Sequence, residues 1–177
     1  GMLDFGQDVL PYGLTSGKVG AYVFNDYWED IGTMKAFYRA NLELGKVIPN
    51  FRFYDPKAPI YTRSRPLPAS KIYEGTVTDS IIAEGSILRR CVVSESVIGI
   101  RTRVGQDTEI HRTVIMGADW FESLEEREDN LAKGLPDVGI GDGVYIQDAL
   151  IDKNARIGEG VRIVNKEGRE HADGENY

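Results

Sequence analysis

Trp28 and Asp30, separated by Glu29 and followed by Ile31-Gly32-Thr33, are the residues of this 177-residue chain whose types and spacing best suit chemistry. An indole offers a flat apolar face on which a pyranose ring can rest. A carboxylate offers oxygen ligands to Mg²⁺, a hard cation held by a few carboxylates together with substrate phosphates. A glycine-punctuated turn carrying both would orient a sugar phosphate. The plainer reading of Asp30 is a helix-entry residue, since Asp is favoured where a chain turns into its first helical residues.

The flanking residues say how such a turn would be held. Val19-Gly20-Ala21-Tyr22-Val23-Phe24, bounded by Gly17-Lys18 and Asn25-Asp26, predicts a short strand. Thr33 is the predicted N-cap of a helix with Met34, Phe37, Tyr38 and Leu42 on its apolar face and Gly45 closing it. Strand, turn and helix follow in that order. Upstream, Asp4-Phe5-Gly6 through Val9-Leu10-Pro11 predicts a loop and a short helix stopped by proline.

Residues 50–70 carry Pro56, Pro59, Pro66 and Pro68 among aromatic and basic residues, the composition of an extended, partly rigid connector. Beyond it aliphatic residues recur as Ile72, Val77, Ile82, Leu88, Val93, Ile98, Val104, Ile110 and Ile115, then Ile140, Ile146, Ile151, Ile157 and Ile163. Within each run every gap is five or six, too long for one helix face or for strand alternation. The period predicts a β-solenoid, a triangular coil in which each face contributes one inward aliphatic residue. Gly85, Gly99, Gly105, Gly141, Gly158 and Gly160 are expected at corners needing dihedrals closed to other residues. An antiparallel sandwich would instead place turn signals about every 8 to 12 residues. Between Gly117 and Val138 the period stops, and Glu122 to Leu131 is a charged helix former, so a loop with a helix is inserted between two coils. Its acidic face reads as solvated, and it is assigned no chemistry.

Bulk composition narrows the classes. With 41% hydrophobic residues the chain can hold one domain, or a piece of one joined to a second. A net charge of -7 without a long basic run argues against nucleic acid, although local basic clusters can still hold small anions. The lone Cys91 excludes an internal disulfide, fits a reducing cytoplasm, and reads as a small core residue on the ladder. No apolar run approaches the roughly 20 residues needed to cross a bilayer, and no signal peptide opens the chain, so no membrane partner is expected. Gly1-Met2 resembles the remnant of a cleaved tag before a start methionine, and the chain is treated as a piece of a longer protein.

Several ordered segments carry a resemblance. Asp4-Phe5-Gly6 with Leu10-Pro11, the Tyr27-Trp28-Glu29-Asp30-Ile31-Gly32-Thr33 turn, Phe53-Tyr54-Asp55-Pro56 and Arg65-Pro66-Leu67-Pro68 are followed by Met116-Gly117-Ala118-Asp119 and Ile151-Asp152-Lys153-Asn154-Ala155. With the ladder, they closely resemble the C-terminal part of the ADP-glucose pyrophosphorylase family, also called glucose-1-phosphate adenylyltransferase. The Met-Gly-Ala-Asp step looks most like the plant and cyanobacterial branch.

The resemblance implies a mainly β fold, a left-handed parallel β-helix of hexapeptide repeats preceded by a small α/β remnant of a nucleotidyltransferase domain. The boundaries it implies are residues 1–49 for the remnant, 50–70 for the connector and 71–177 for the β-helix, with the helical insertion near 118–138. The family joins ATP and glucose 1-phosphate into ADP-glucose and pyrophosphate, the committed step of glycogen or starch synthesis. By resemblance, Asp4, Phe5 and Trp28 lie at the glucose 1-phosphate pocket, and Asp30 is one of two aspartates holding the catalytic Mg²⁺. Lys166 matches an activator-binding lysine and Arg65 an arginine linked to the phosphate response, so phosphorylated effectors are expected partners. A homo-oligomer built through the β-helix is expected, in the cytoplasm, or in a plastid if the source is a plant.

The departures matter equally. The family's glycine-rich nucleotide loop, its catalytic lysine region and its first metal aspartate do not occur in these residues, so no catalytic set is complete here. The polypeptide alone is therefore predicted inactive, with assembly and regulation as its remaining roles. It also stops at Tyr177, before the family's last coil segment. One rival is a hexapeptide-repeat acyltransferase using His111 as general base. His111 directly follows Ile110, an outward polar ladder position, and that reading gives the Trp28–Asp30 turn no purpose. Another sugar-phosphate nucleotidyltransferase is the second alternative, because the residues that would select glucose and adenine are not in the chain.

Overall fold

The structure is a computed structural model, and it describes residues 4–17 and 19–168. The Gly1-Met2 pair, Lys18 and Tyr177 lie outside the described residues.

Among the described residues, fourteen short parallel strands build the solenoid. The first coil is β1 (Lys71–Tyr73), β2 (Thr76–Thr78) and β3 (Ile81–Ile82), and the second is β4 (Ile87–Arg89), β5 (Val92–Ser94) and β6 (Val97–Ile98). The third is β7 (Arg103–Val104), β8 (Glu109–His111) and β9 (Val114–Ile115). After the insertion come β10 (Gly139–Ile140), β11 (Tyr145–Gln147) and β12 (Leu150–Ile151), then β13 (Arg156–Ile157) and β14 (Arg162–Ile163). They stack into three sheets, β1-β4-β7-β10-β13, β2-β5-β8-β11-β14 and β3-β6-β9-β12.

The register turns the sequence ladder into three columns. Ile72 pairs with Leu88, Leu88 with Val104, Val104 with Ile140 and Ile140 with Ile157 on the first face. Val77, Val93, Ile110, Ile146 and Ile163 follow on the second, and Ile82, Ile98, Ile115 and Ile151 on the third. Leu88, Val93, Ile98, Ile110 and Ile146 are completely buried, and each such side chain contributes about 1.5–3 kcal/mol by leaving water. Ile72, on the first coil, has no coil beneath it and stays about half exposed. Cys91 is buried in this core, as expected, and burial pushes its thiol pKa up.

Between the columns run small hydroxyl residues. Ser86, Ser96, Thr102, Thr108 and Thr113 are buried, and each hydroxyl donates to a main-chain carbonyl, for example Thr102 to Gly99 at 2.7 Å and Thr108 to Gly141 at 2.8 Å. A buried hydroxyl without such an acceptor would cost about 1–3 kcal/mol.

The corners differ from expectation. Left-handed backbone is carried mostly by Glu74, Asp79, Arg90, Glu95, Arg101, Asp107, Arg112, Asp148 and Asn154, while of the expected glycines only Gly85 and Gly160 have positive φ. The amides of these non-glycine residues explain the tolerance. Arg90, Asp107, Arg112 and Asp148 each donate to a carbonyl of the coil below, which over-determines the conformation. Gly99, Gly105 and Gly141 serve by size instead, because a Cβ there would come within 2.5, 2.3 and 2.8 Å of neighbouring atoms. Gly158 shows neither constraint.

The N-terminal region is helical. A π-helical turn (Phe5–Val9) runs into α1 (Leu10–Ser16), and α2 spans Met34–Leu44. Pro11 opens α1 rather than stopping a helix, because a first-turn residue has no intrahelical acceptor to lose. The predicted strand over residues 19–24 is not formed. All strands of the described residues begin at Lys71 or later, so its amides and carbonyls have no sheet edge beside them, and Tyr22 and Val23 face solvent. The predicted cap holds: Thr33 Oγ1 accepts from the amide of Ala36 at 3.1 Å, and Gly45 stands at the C-cap. Residues 50–70 form no regular element and join the solenoid where the carbonyl of Pro68 accepts from the amide of Gly85.

Within the insertion, α3 (Leu124–Ala132) starts at Ser123 with a reciprocal capping box to Glu126. The side chain of Glu122 is nearly fully buried, accepting from the Val138 amide at 2.7 Å and Asn130 Nδ2 at 2.9 Å while pairing with Arg156. A structured insertion results.

Candidate functional site

The turn at residues 27–33 is set by its own side chains. Asp30 Oδ1 accepts from the amide of Gly32 at 2.9 Å, a hydrogen bond that bends the chain just ahead of the Thr33 cap. The helix-entry reading of Asp30 is thus part of its role. The hydroxyl of Tyr27 donates to Glu29, and this bond, more than desolvation or charge, pushes the Tyr27 phenol pKa up. Trp28 makes no ring contact among the described residues and is 75% exposed, so its face is open to a ligand.

Asp4 occupies a comparable local position. Its Oδ1 accepts from the amide of Gln7 at 2.6 Å, capping the π-helical turn, and Phe5 beside it is exposed. The four residues expected to share a sugar-phosphate site therefore fall into two pairs, Asp4 with Phe5 and Trp28 with Asp30, each ordered by its own turn. No hydrogen bond or ion pair of these carboxylates links one pair to the other among the described residues.

Asp30 suits Mg²⁺ in kind, as a hard oxygen donor, but not in number. Among the described residues no group of three or more His, Cys, Asp or Glu is placed to hold a metal ion. One exposed carboxylate is one ligand, and Mg²⁺ demands near-octahedral coordination.

What the turn is docked against is better defined. The hydroxyl of Tyr38 in α2 donates to the carbonyl of Arg112, and a Cβ added to Gly45 would meet Asp79 O at 3.3 Å, so α2 lies on the corner between the second and third sheets. Burial raises the Tyr38 pKa, with the Asp148 charge adding to it. The Trp28–Asp30 turn is thereby tied to the solenoid through one helix.

The two expected effector cations stand apart. Lys166 follows β14 on the last described coil, in a turn where its amide donates to Val164 O at 3.1 Å. Arg65 lies on the connector, three residues before the Pro68 carbonyl that meets the first coil. Both are exposed, and four strand-to-strand steps of about 4.8 Å separate those coils. His111 sits on the outward side of β8, with Nδ1 hydrogen-bonded to Ser94 Oγ at 2.7 Å and Nε2 3.4 Å from Glu109 Oε2.

Fold and site together define a parallel β-solenoid of short coils that carries, on one corner, a helical segment with a solvent-facing aromatic and carboxylate turn. Residues 65–177 match the family model described as GLGC left-handed parallel beta-helix domain, and residues 2–47 match the one described as Nucleotidyl transferase. The chain belongs to the GLGC left-handed parallel β-helix family, with a nucleotidyltransferase segment ahead of the coils. No helix among the described residues is long and apolar enough to cross a membrane.

Proposed function

We propose that the chain is part of a glucose-1-phosphate adenylyltransferase, which joins ATP and glucose 1-phosphate into ADP-glucose and pyrophosphate for glycogen or starch synthesis. The observation that carries this reading is the order of the two family matches in one polypeptide, nucleotidyltransferase segment first and GLGC-type coils second. In it, Trp28 stacks on the glucose ring, Asp4 and Phe5 line the same pocket, and Asp30 is one ligand of a Mg²⁺ ion. Bound there, the ion would neutralise charge on the reacting phosphates. Lys166 and Arg65 belong to effector-anion sites, and the coils serve assembly of a homo-oligomer. The location is the cytoplasm, or a plastid if the source is a plant.

Pyrophosphate release from ATP and glucose 1-phosphate tests it. The 177-residue polypeptide is expected to release none, since it holds one metal carboxylate and no glycine-rich nucleotide loop. Joined to a nucleotidyltransferase half encoded directly upstream, it is expected to turn over, and Asp30→Asn should reduce the rate by about 100-fold or more, the equivalent of several kcal/mol. Turnover by the polypeptide alone, or full activity of the Asp30→Asn enzyme, would overturn the assignment.

A further inference from the structure

Eight arginines lie between residues 71 and 168, and seven have a partner. Arg90 pairs with Asp107, Arg112 with Asp148, Arg127 with Asp137, Arg156 with Glu122, and Arg89 reaches Asp142 at 3.5 Å. Arg101 donates to Ala118 O, and Arg162 lies over the Tyr145 ring. Arg103 alone has no hydrogen bond, ion pair or ring contact among the described residues, although it is half-buried in an acidic chain.

Its surroundings are built. Val104 points inward, so Arg103 points outward from the first sheet, with Ile87 beside it in register on β4. On the other side the neighbour is Gly139, where a Cβ would stand 3.2 Å from that of Arg103, so the absence of a side chain leaves room. Helix α3 covers this face, and the cavity between sheet and helix has a volume of about 610 Å³. Arg127 lines it from the helix side, and burial, then the positive field of Arg127, depress the Arg103 pKa despite the opposing charges of Asp137 and Glu122. The wall is preorganised, because the capping box fixes the start of α3 and Glu122 ties the insertion to Val138 and Arg156.

We propose that this cavity binds a small phosphorylated molecule, with its phosphate held chiefly by the free Arg103 guanidinium and seconded by the Nη1 that Arg127 keeps beside its Asp137 pair. Arg103 offers a free fork, and Arg127, whose Nε and Nη2 are held by Asp137, offers its remaining Nη1; donors from two different elements suit a tetrahedral dianion better than a single planar carboxylate. Four carboxylates share the cavity. Asp137 is engaged by Arg127, and Asp142 by Arg89 and the amide of Gln106 at 2.8 Å, while Glu128 and Glu159 are exposed at the rim. Arg103 is therefore the cation left to an incoming anion. Leu131, Leu135 and Pro136 supply an apolar wall for the rest of such a ligand, and the volume is that of a small-molecule site. This site shares no residue with the Trp28–Asp30 turn, Lys166 or Arg65, so either assignment can fail alone.

The test follows the arginine Nε–Hε resonances and the melting temperature of the 177-residue protein during titration with inorganic phosphate, against potassium chloride at matched ionic strength. Saturable shifts of the Arg103 and Arg127 signals at millimolar phosphate are expected, with a rise in melting temperature. Arg103→Gln should abolish both responses. Arg90→Gln, which removes an exposed charge paired outside the cavity, should retain them. Shifts that match those in chloride or fail to saturate would refute the site, as would an undiminished response in Arg103→Gln. Should Arg103→Gln fail to fold, Arg103→Lys keeps the charge without the fork. At least fivefold weaker binding is then expected, and unchanged binding would refute the site.

Discussion

Ile110 and Trp28 are both large apolar side chains, yet the first has no exposed surface and the second is three-quarters exposed. Ile110 lies between Val93 and Ile146 in a column of the second sheet, so it is covered by the coils before and after it, as the inward residues of the end coils are not. Trp28 belongs to a region whose elements are single helices and turns, each satisfied by its own backbone and attached to the solenoid through α2. Repetition buries the inward residues of the middle coils, whereas a lone turn presents its side chains outward. That difference leaves the coils holding a shape and the side chains of the turn open to solvent.

Truncating one residue from each region gives the widest separation. Ile110→Ala leaves a cavity in the third coil and should lower unfolding free energy by about 2–5 kcal/mol, whereas Trp28→Ala should stay within about 0.5 kcal/mol. Urea denaturation of both variants measures this. Equal losses would mean that the turn is packed into the same cooperative unit as the coils, and the comparison would break.

A second contrast separates two left-handed glycines. Gly117 closes the third coil at φ 88°, and a Cβ there would lie 2.3 Å from Ile100 O. Gly134, at φ 71° in the insertion, has nothing within 4 Å. Gly117→Ala should therefore cost about 2 kcal/mol or more, through strain plus a backbone clash, and Gly134→Ala about 1 kcal/mol from strain alone. Thermal unfolding of the pair reports the difference, and similar losses would show that the corner yields more easily than its hydrogen bonds suggest.

These contrasts also mark what the sequence makes legible. The inward residues are readable because burial imposes one aliphatic residue per face, and the observed registers pair every ladder position from Ile72 to Ile163 with its expected neighbour column. The corners are not readable from glycine content, because an amide donating to the coil below stabilises left-handed backbone in Arg90 or Asp148 as well as glycine does. Pro11 and residues 19–24 differ from expectation for related reasons. A proline's effect depends on whether it falls in the first helical turn, and a β-rich run becomes a strand only beside an edge. For the candidate site, the Asp30-Ile31-Gly32 spacing foretells the turn, but nothing in it says how Asp4 and Trp28 lie relative to each other. Arg103 carries no signal in the sequence, because its isolation arises from tertiary contacts, in which each neighbouring arginine finds a partner and this one does not.

The insertion tests whether a non-repeating segment can share the stability of the coils. Glu122→Gln keeps the shape of a buried acceptor while removing the charge facing Arg156, and about 1–2 kcal/mol of local stability should be lost. Hydrogen exchange is expected to speed up at the Val138 amide and through α3 while the Ile110 and Ile146 amides keep their protection. A uniform loss across both would show that the insertion and the coils open together.

The smallest effect concerns the corner that joins the two regions. Arg112 is bonded to Asp148 at 2.7 Å through Nε, and that hydrogen bond more than any other interaction lowers the Asp148 pKa. A carboxylate whose folded pKa is depressed stabilises the fold fully above its unfolded value of about 4, and this contribution is lost as pH falls through the folded value. Because over a third of each side chain is exposed, the pair contributes less than about 1 kcal/mol. Asp148→Asn should thus be slightly less stable than the parent at pH 6, and the difference should close as pH falls below about 4 through the folded value. Asp107 beside Arg90 and Asp119 beside Asn154 and Lys153 are also depressed, but they titrate in both proteins and cancel from the difference. The carbonyl of Arg112 accepts the Tyr38 hydroxyl, so the same acidification should loosen α2 from the coils in the parent. A stability difference that stays constant from pH 6 to 2.5 would mean that the Asn substitution acts through corner geometry, and that the charge pair has no part in holding the turn-bearing helix to the solenoid.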